Sequence, residues 1–154
     1  MKLDLTDKKL LDLLQKDAKQ SVKSLASQVN LSATAVYERI KNLERNQVIQ
    51  KYTIILDAEK VEKEFLSFCM IQLSKHSQKY LLEFERKIKT LDEVLECFHI
   101  SGTYDYLLKI RVKNIAEYRS FMVEKLTDIP HIANTQSAFS INEVKSNKGI
   151  SLIT

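Results

Sequence analysis

"SVKSLASQVNLSATAVYERI", residues 21 to 40, decides how the first part of the chain folds. Ser21 stands where a helix cap is needed, and behind it Val22, Leu25, Ala26 and Val29 recur at i, i+3, i+4 and i+7, the spacing of one apolar helix face. Ser32 stands at the head of a further helix, whose inward residues are Val36, Ile40 and Leu43. Only Asn30 and Leu31 separate the two. So short a link forces the helices to cross sharply, which is the geometry of a helix-turn-helix. Asn30 falls where the chain needs a positive φ, a conformation asparagine tolerates best after glycine.

Upstream, "TDKKLLDLLQKDA" supplies another helix of about three turns. Thr6 is expected to accept a hydrogen bond from a first-turn NH, Asp7 complements the positive helix end, and Leu10, Leu11, Leu13 and Leu14 form the apolar stripe. With Val36, Ile40 and Leu43 turned inward, Ala33, Thr34, Tyr37, Glu38, Lys41, Asn42 and Arg45 fall on or near the outer face, with Arg39 at its flank. That face offers hydroxyls, an amide and several cations, while small Ala33 and Ala35 let the helix end enter a major groove with Ser32 and Thr34 near phosphates or base edges. A solvated helix face accounts for any one of these residues equally well. The short-turn three-helix arrangement as a whole favours DNA.

The composition sets the frame around this segment. In 154 residues, 44% are apolar, enough for one domain or two small ones with a real core. No window approaches the roughly 18 apolar residues of a membrane span, and "MKLDLTDKKL" lacks the core of a signal peptide, so a cytoplasmic protein without a membrane partner is expected. Residues 1 to 60 carry 11 Lys/Arg against 8 Asp/Glu, whereas residues 61 to 154 carry 13 against 12. The front is the more basic part, which suits nucleic acid but is a small surplus. Cys69 and Cys97 lie in apolar runs without C-x-x-C spacing and read as buried free thiols; His76, His99 and His131 are scattered, so no metal site, cofactor or enzyme is expected.

Beyond residue 48 the pattern changes. "VIQKYTIILDAEKV" is rich in β-branched residues and reads as a strand at about 49 to 56, a stiff linker. "FLSFCMIQL", "VLECFHIS", "YLLKIRV" and "HIANTQSAFSINEV" read as four more strands. Between them, Leu81, Phe84, Ile88 and Leu91, and then Tyr118, Phe121, Met122, Leu126 and Ile129, keep helical spacing, the second helix ending before Pro130. The order βαββαβ is the ferredoxin-like arrangement, with helices over one face of the sheet and the other face left for a second chain. In "SGTYDYLLKI" (residues 101 to 110), Gly102 supplies the positive φ that a hairpin requires. A plain turn explains it without any ligand. Equally, glycine permits close approach to the backbone, and Asp105 has the charge to meet an ammonium group.

These segments together resemble the Lrp/AsnC family of feast/famine transcription regulators. The family's D-x-x-I-L-x-x-L-Q corresponds to the run from Asp7, its L-A-x-x-V-G-L-S to "LASQVNLS", its S-G-x-Y-D-Y to "SGTYDY", and its last strand to "AFSINEVKSN". The chain departs from the pattern at Asn30 and Gln47, where turn glycines are usual, at Ser24 and Ala33, at Tyr37 and Glu38, and at Thr103, where an acidic residue is common.

The resemblance implies an α+β protein with a helix-turn-helix, winged-helix-like domain (residues 1–48), a linking strand and hinge (49–62), and a ferredoxin-like effector-binding and oligomerisation domain (63–154). It implies a sequence-specific transcription regulator, with no enzymatic role, that contacts double-stranded DNA through Ser32, Thr34, Ala35, Tyr37, Glu38, Arg39, Lys41, Asn42 and Arg45. The linking strand pairs with its mate in a homodimer, and dimers assemble into an octamer or similar ring. An amino-acid effector or related metabolite is expected at the dimer-dimer junction, held by Gly102, Thr103, Tyr104, Asp105 and Tyr106, with Thr135, Gln136 and Ser137 as a second wall. Two alternatives stand beside it: a ligand-independent architectural DNA-binding protein, and a small-molecule sensor or enzyme whose first domain mediates protein contact.

Overall fold

In the computed structural model, residues 2–146 and 149–152 are described. The chain divides into two units, one running to Ile55 and taking up the chain again from Lys145, the other spanning Leu56–Val144.

The first unit holds α1 (Leu5–Lys16), α2 (Val22–Val29) and α3 (Ala33–Arg45). Ser21 and Ser32 cap α2 and α3 by accepting from the Ser24 and Ala35 amides, as their positions predict. The start of α1 differs from expectation. Asp4, rather than Thr6, is its cap: the Asp4 carboxylate accepts the Asp7 amide at 2.7 Å, and Asp7 returns the contact by accepting the Asp4 amide at 3.1 Å. This reciprocal box satisfies two orphan amides, which a lone Thr6 hydroxyl cannot do.

Asn30 has φ 55° and closes α2 in the left-handed conformation, so the two-residue turn forms without glycine. Gln47 has φ 57°, and beyond it the Val48 and Ile49 amides both return to the Leu43 carbonyl. The usual glycine at that place is thereby explained, and Gln47 adopts its conformation regardless. Leu10, Leu25, Ala26, Val36 and Ile40 form the core of the unit, with Leu13, Leu14, Val22, Val29 and Ile49 packed around it.

The strand expected at about 49 to 56 is not formed within the chain. The segment has no ladder partner among the described residues, and Ile54, Ile55 and Leu56 are exposed. A strand is a hydrogen-bonded ladder, and β-branched composition alone does not supply the partner it needs. Residues 149–152 return to α1: the Gln15 side-chain amide donates to the Ile150 carbonyl at 3.0 Å and accepts its NH at 2.6 Å, while the Leu152 NH reaches Asp12.

The second unit contains β1 (Phe65–Leu73), α4 (Gln78–Ile88), β2 (Val94–His99), β3 (Tyr106–Val112), α5 (Ile115–Phe121) continued by a π-helical turn (Met122–Leu126), and β4 (Ile132–Phe139). The strands form one antiparallel sheet in the order β2-β3-β1-β4, the ferredoxin-like topology that the βαββαβ reading predicts. The last strand stops at Phe139, two residues into the "AFSINEVKSN" stretch, whose final Asn147 lies outside the described residues.

Alternation fixes the two faces of the sheet. Cys69, Ile71 and Leu73 on β1 and Tyr106, Leu108, Ile110 and Val112 on β3 pack against Phe84 and Ile88 of α4 and Tyr118, Phe121 and Leu126 of the other helical segment. Residues of the opposite parity include half-buried Phe68, Met70 and Leu107 and exposed Phe98. Cys69 is buried as expected, but Cys97 is exposed on edge strand β2, where no further strand covers it.

Candidate DNA interface and effector site

The outer strip of α3 follows from its inward face. Val36, Ile40 and Leu43 are buried, which places Thr34, Tyr37, Glu38, Lys41, Asn42 and Arg45 on the opposite side, and all six are exposed. Ala33 and Thr34 leave the first turn slender. Ser32 has two tasks available, since its oxygen accepts the Ala35 amide and its own proton remains to donate.

The strip is electrostatically ordered toward its C-terminal end. Lys41 pairs with Glu44 at 2.8 Å and lies 5.7 Å from the Tyr37 ring centroid, and the Tyr52 hydroxyl from the linking segment donates to Glu44 at 3.0 Å. The hydrogen bond and charge of Glu44 raise the Lys41 pKa, and Lys41 in turn lowers that of Glu44. Lys41 is therefore a firmly charged donor at the surface. Arg39 is placed differently from the rest of the DNA-facing set: its Nη1 reaches Asp4 and Asp7 at 2.7 Å each, so its guanidinium is engaged with α1.

The loop between β2 and β3 is closed by two backbone bonds, from the Ile100 NH to the Asp105 carbonyl and from the Asp105 NH to the Ile71 carbonyl, both 2.8 Å. Gly102 has φ 122°, and a Cβ built there meets nothing within 4 Å. Conformation, rather than lack of room, demands glycine, and its backbone is open to approach.

The loop's polar side chains are unequally available. Tyr104 donates its hydroxyl to the Gln136 side chain at 2.6 Å, which brings together two of the expected effector residues. Asp105 accepts the Leu73 amide at 2.7 Å and pairs with His76 at 3.0 Å, so its carboxylate anchors the loop to the end of β1.

Tyr106 is placed apart from the rest of the loop. It is 1% exposed, stacks on His99 with centroids 4.7 Å apart, and donates its hydroxyl to Glu85 at 2.9 Å. Burial first, then Glu85, push its phenol pKa up, and within the chain the residue is a core aromatic. On β4, Ser137 shares a 2.6 Å hydrogen bond with the Tyr118 hydroxyl on the helix-covered side, opposite to Gln136. Thr135 shares Ser137's parity, and alternation therefore splits the expected second wall between two faces. No sequence signal distinguished Asp105 or Ser137 from free polar residues, because their partners lie far away along the chain.

Among the described residues no cluster of His, Cys, Asp or Glu has the arrangement of a metal site, and no helix is long and apolar enough to cross a membrane. A helix-turn-helix joined to a ferredoxin-like domain with an open loop defines a DNA-binding regulator carrying a ligand-binding domain. Residues 3–44 match the AsnC-type helix-turn-helix domain and residues 66–150 the Lrp/AsnC ligand binding domain. The chain belongs to the Lrp/AsnC family.

It is 37% identical over 142 residues to the Bkd operon transcriptional regulator of Pseudomonas aeruginosa, covering 92% of this chain and 93% of that one. Over 152 residues it is 34% identical to the leucine-responsive regulatory protein of Escherichia coli, covering 99% and 93%. An AsnC family transcriptional regulator from Agrobacterium tumefaciens superposes with a TM-score of 0.92 at 33% identity, covering 96% of each chain. A transcriptional regulator of Neisseria meningitidis solved in complex with L-Met gives 0.91 at 26% identity, covering 97% and 96%. These similarities point to a transcription regulator rather than an enzyme.

Proposed function

We propose that this protein is a sequence-specific transcription regulator whose DNA binding responds to an amino acid or a close metabolite. The observation that carries this reading is the continuous exposed strip Thr34, Tyr37, Glu38, Lys41, Asn42 and Arg45 on a helix seated by a two-residue turn. Such a helix lies in the major groove, its N-terminal residues at base edges and Ser32 and Thr34 near the backbone, with Ala35 close behind. Dimers form by pairing the linking segment around Ile54 and Ile55, which leaves its backbone and apolar side chains to a second copy, and dimers assemble into a ring of octamer type.

The effector sits between dimers against the open backbone of Ser101, Gly102 and Thr103, with Tyr104 and Gln136 as the side chains that meet it. A ligand at such a junction favours whichever assembly offers both of its walls, which couples binding to the spacing of the recognition helices. The name of the Escherichia coli relative and the L-Met complex of the Neisseria regulator support an amino acid as the ligand class.

Gel retardation of genomic fragments against random DNA tests the first part, and salt-sensitive, sequence-selective binding is expected. Equal affinity for random DNA would exclude a specific regulator. Calorimetry with the twenty amino acids tests the second, and absence of heat with all of them favours an architectural protein instead.

A further inference from the structure

The ion triad beneath the recognition helix assigns a task to Arg39. By helical periodicity of about 100° per residue, Arg39 lies roughly 130° from the centre of the outer strip and only some 65° from the buried side. Its side chain is 35% exposed, and its Nη1 contacts Asp4 Oδ2 and Asp7 Oδ1 at 2.7 Å each. The Asp7 side chain is 7% exposed. The same two carboxylates form the capping box of α1, so the start of α1 and the middle of α3 are joined through three side chains.

We infer that Arg39 is a positioning residue that fixes the angle of α3 against α1 through Asp4 and Asp7, and that it does not itself contact DNA. The charge balance favours this. One guanidinium against two carboxylates leaves the cluster net negative, so a phosphate arriving there is repelled unless it displaces both. Asp7 is also buried, and withdrawing the cation strands its charge, which costs far more than losing a surface pair.

Both bonds come from one nitrogen, Nη1, at the far end of a side chain longer than lysine's, so the contact depends on that reach. Asp7, through its hydrogen bond, and then Asp4 raise the guanidinium's pKa, while Asp4 is itself lowered first by the Asp7 amide and next by Arg39. The opposite side of the α1–α3 contact is apolar, with Leu10 in one cluster with Val36 and Ile40. Apolar packing resists separation but tolerates sliding; the triad removes that freedom and thereby sets which base edges the outer strip can reach.

The inference rests on the DNA-binding reading, and the experiment separates the two. Affinity of the full-length protein for a selected operator and for random DNA is measured across a salt series for the unsubstituted chain, R39Q, R39Q/D7N and R39K. Expected for R39Q is a fall in the operator-to-random ratio on the order of tenfold, comparable to one misread base pair, with the slope of log K against log salt unchanged. In R39Q/D7N the stranded carboxylate is gone and an amide pair replaces the ion pair, so most of the ratio returns.

Loss of a phosphate contact behaves otherwise: the slope falls by about 0.9 per protomer, operator and random DNA weaken alike, and D7N restores nothing. That result overturns the inference. Should R39Q fail to fold, R39K decides, because a phosphate contact keeps both ratio and slope with lysine, whereas the shorter lysine cannot hold both carboxylates as Nη1 does and loses the ratio alone. Absence of DNA binding by the unsubstituted chain overturns the regulator reading itself.

Discussion

The outer strip of α3 and the loop after β2 carry similar numbers of polar side chains but use them in opposite ways. On α3, Thr34, Tyr37, Glu38, Lys41, Asn42 and Arg45 stay at the surface because the helix has only one buried side. In the loop, Asp105 and Tyr106 are drawn into the domain, the first by the Leu73 amide and His76, the second by His99, Phe84 and Glu85. A regular helix preserves the meaning of sequence spacing. A loop at the end of a sheet does not, since the nearest donor or acceptor in space decides each side chain's employment.

Substitutions at four positions and one titration test that contrast. The largest effect belongs to Tyr106→Ala, which empties a core position and is expected to destabilise the second unit by about 3–5 kcal/mol, read as a lower urea midpoint. Next comes Asp105→Ala, which leaves the Leu73 amide without its acceptor and costs about 1–3 kcal/mol; Asp105→Asn, keeping an acceptor, costs less. A stability unchanged by Asp105→Ala, with effector binding abolished, would make Asp105 a ligand contact and erase the difference between the regions.

Gln47→Gly relieves the left-handed residue after α3 and should stabilise the first unit by up to about 1 kcal/mol, seen as a higher melting temperature. On the α3 side, Lys41→Ala should leave the urea midpoint essentially unchanged while weakening DNA binding and reducing its salt dependence. Titration distinguishes the triad from the strip. Asp4 has its pKa lowered below 3.8, chiefly by the Asp7 amide and then by Arg39, so its contribution is present above that value and is lost as pH falls through the lower, folded-state value. Urea midpoints followed from about pH 5 down to about pH 2.5 should therefore fall less steeply in Asp4→Asn than in the unsubstituted chain.

Much of the first unit was legible in the sequence because its determinants are local. Ser21 and Ser32 cap residues three positions away, Asn30 takes its positive φ, and the inward triad of α3 follows from period alone. Thr6 and Asp4 compete for the same role within two residues, and what separates them is the reciprocal bond with Asp7 and the bridge from Arg39, 35 residues further on. The four strands and two helical segments of the second unit were equally readable from alternation and helical spacing.

Its loop was not, because Asp105 finds its acceptor duty 32 residues earlier, at Leu73. The linking strand failed for a different reason. Its β-branched composition favours an extended chain, but among the described residues nothing pairs with it.

The clasp of Gln15 on Ile150 has a bearing on how the molecule comes into being. The three helices precede the sheet domain in the chain, yet the unit to which they belong includes a residue, Ile150, 135 positions beyond Gln15. During synthesis the helices emerge, the whole sheet domain follows, and only then does the closing strap arrive. The first unit is thus completed only after the sheet domain has been made, and a fragment ending at the linker lacks a piece of that unit.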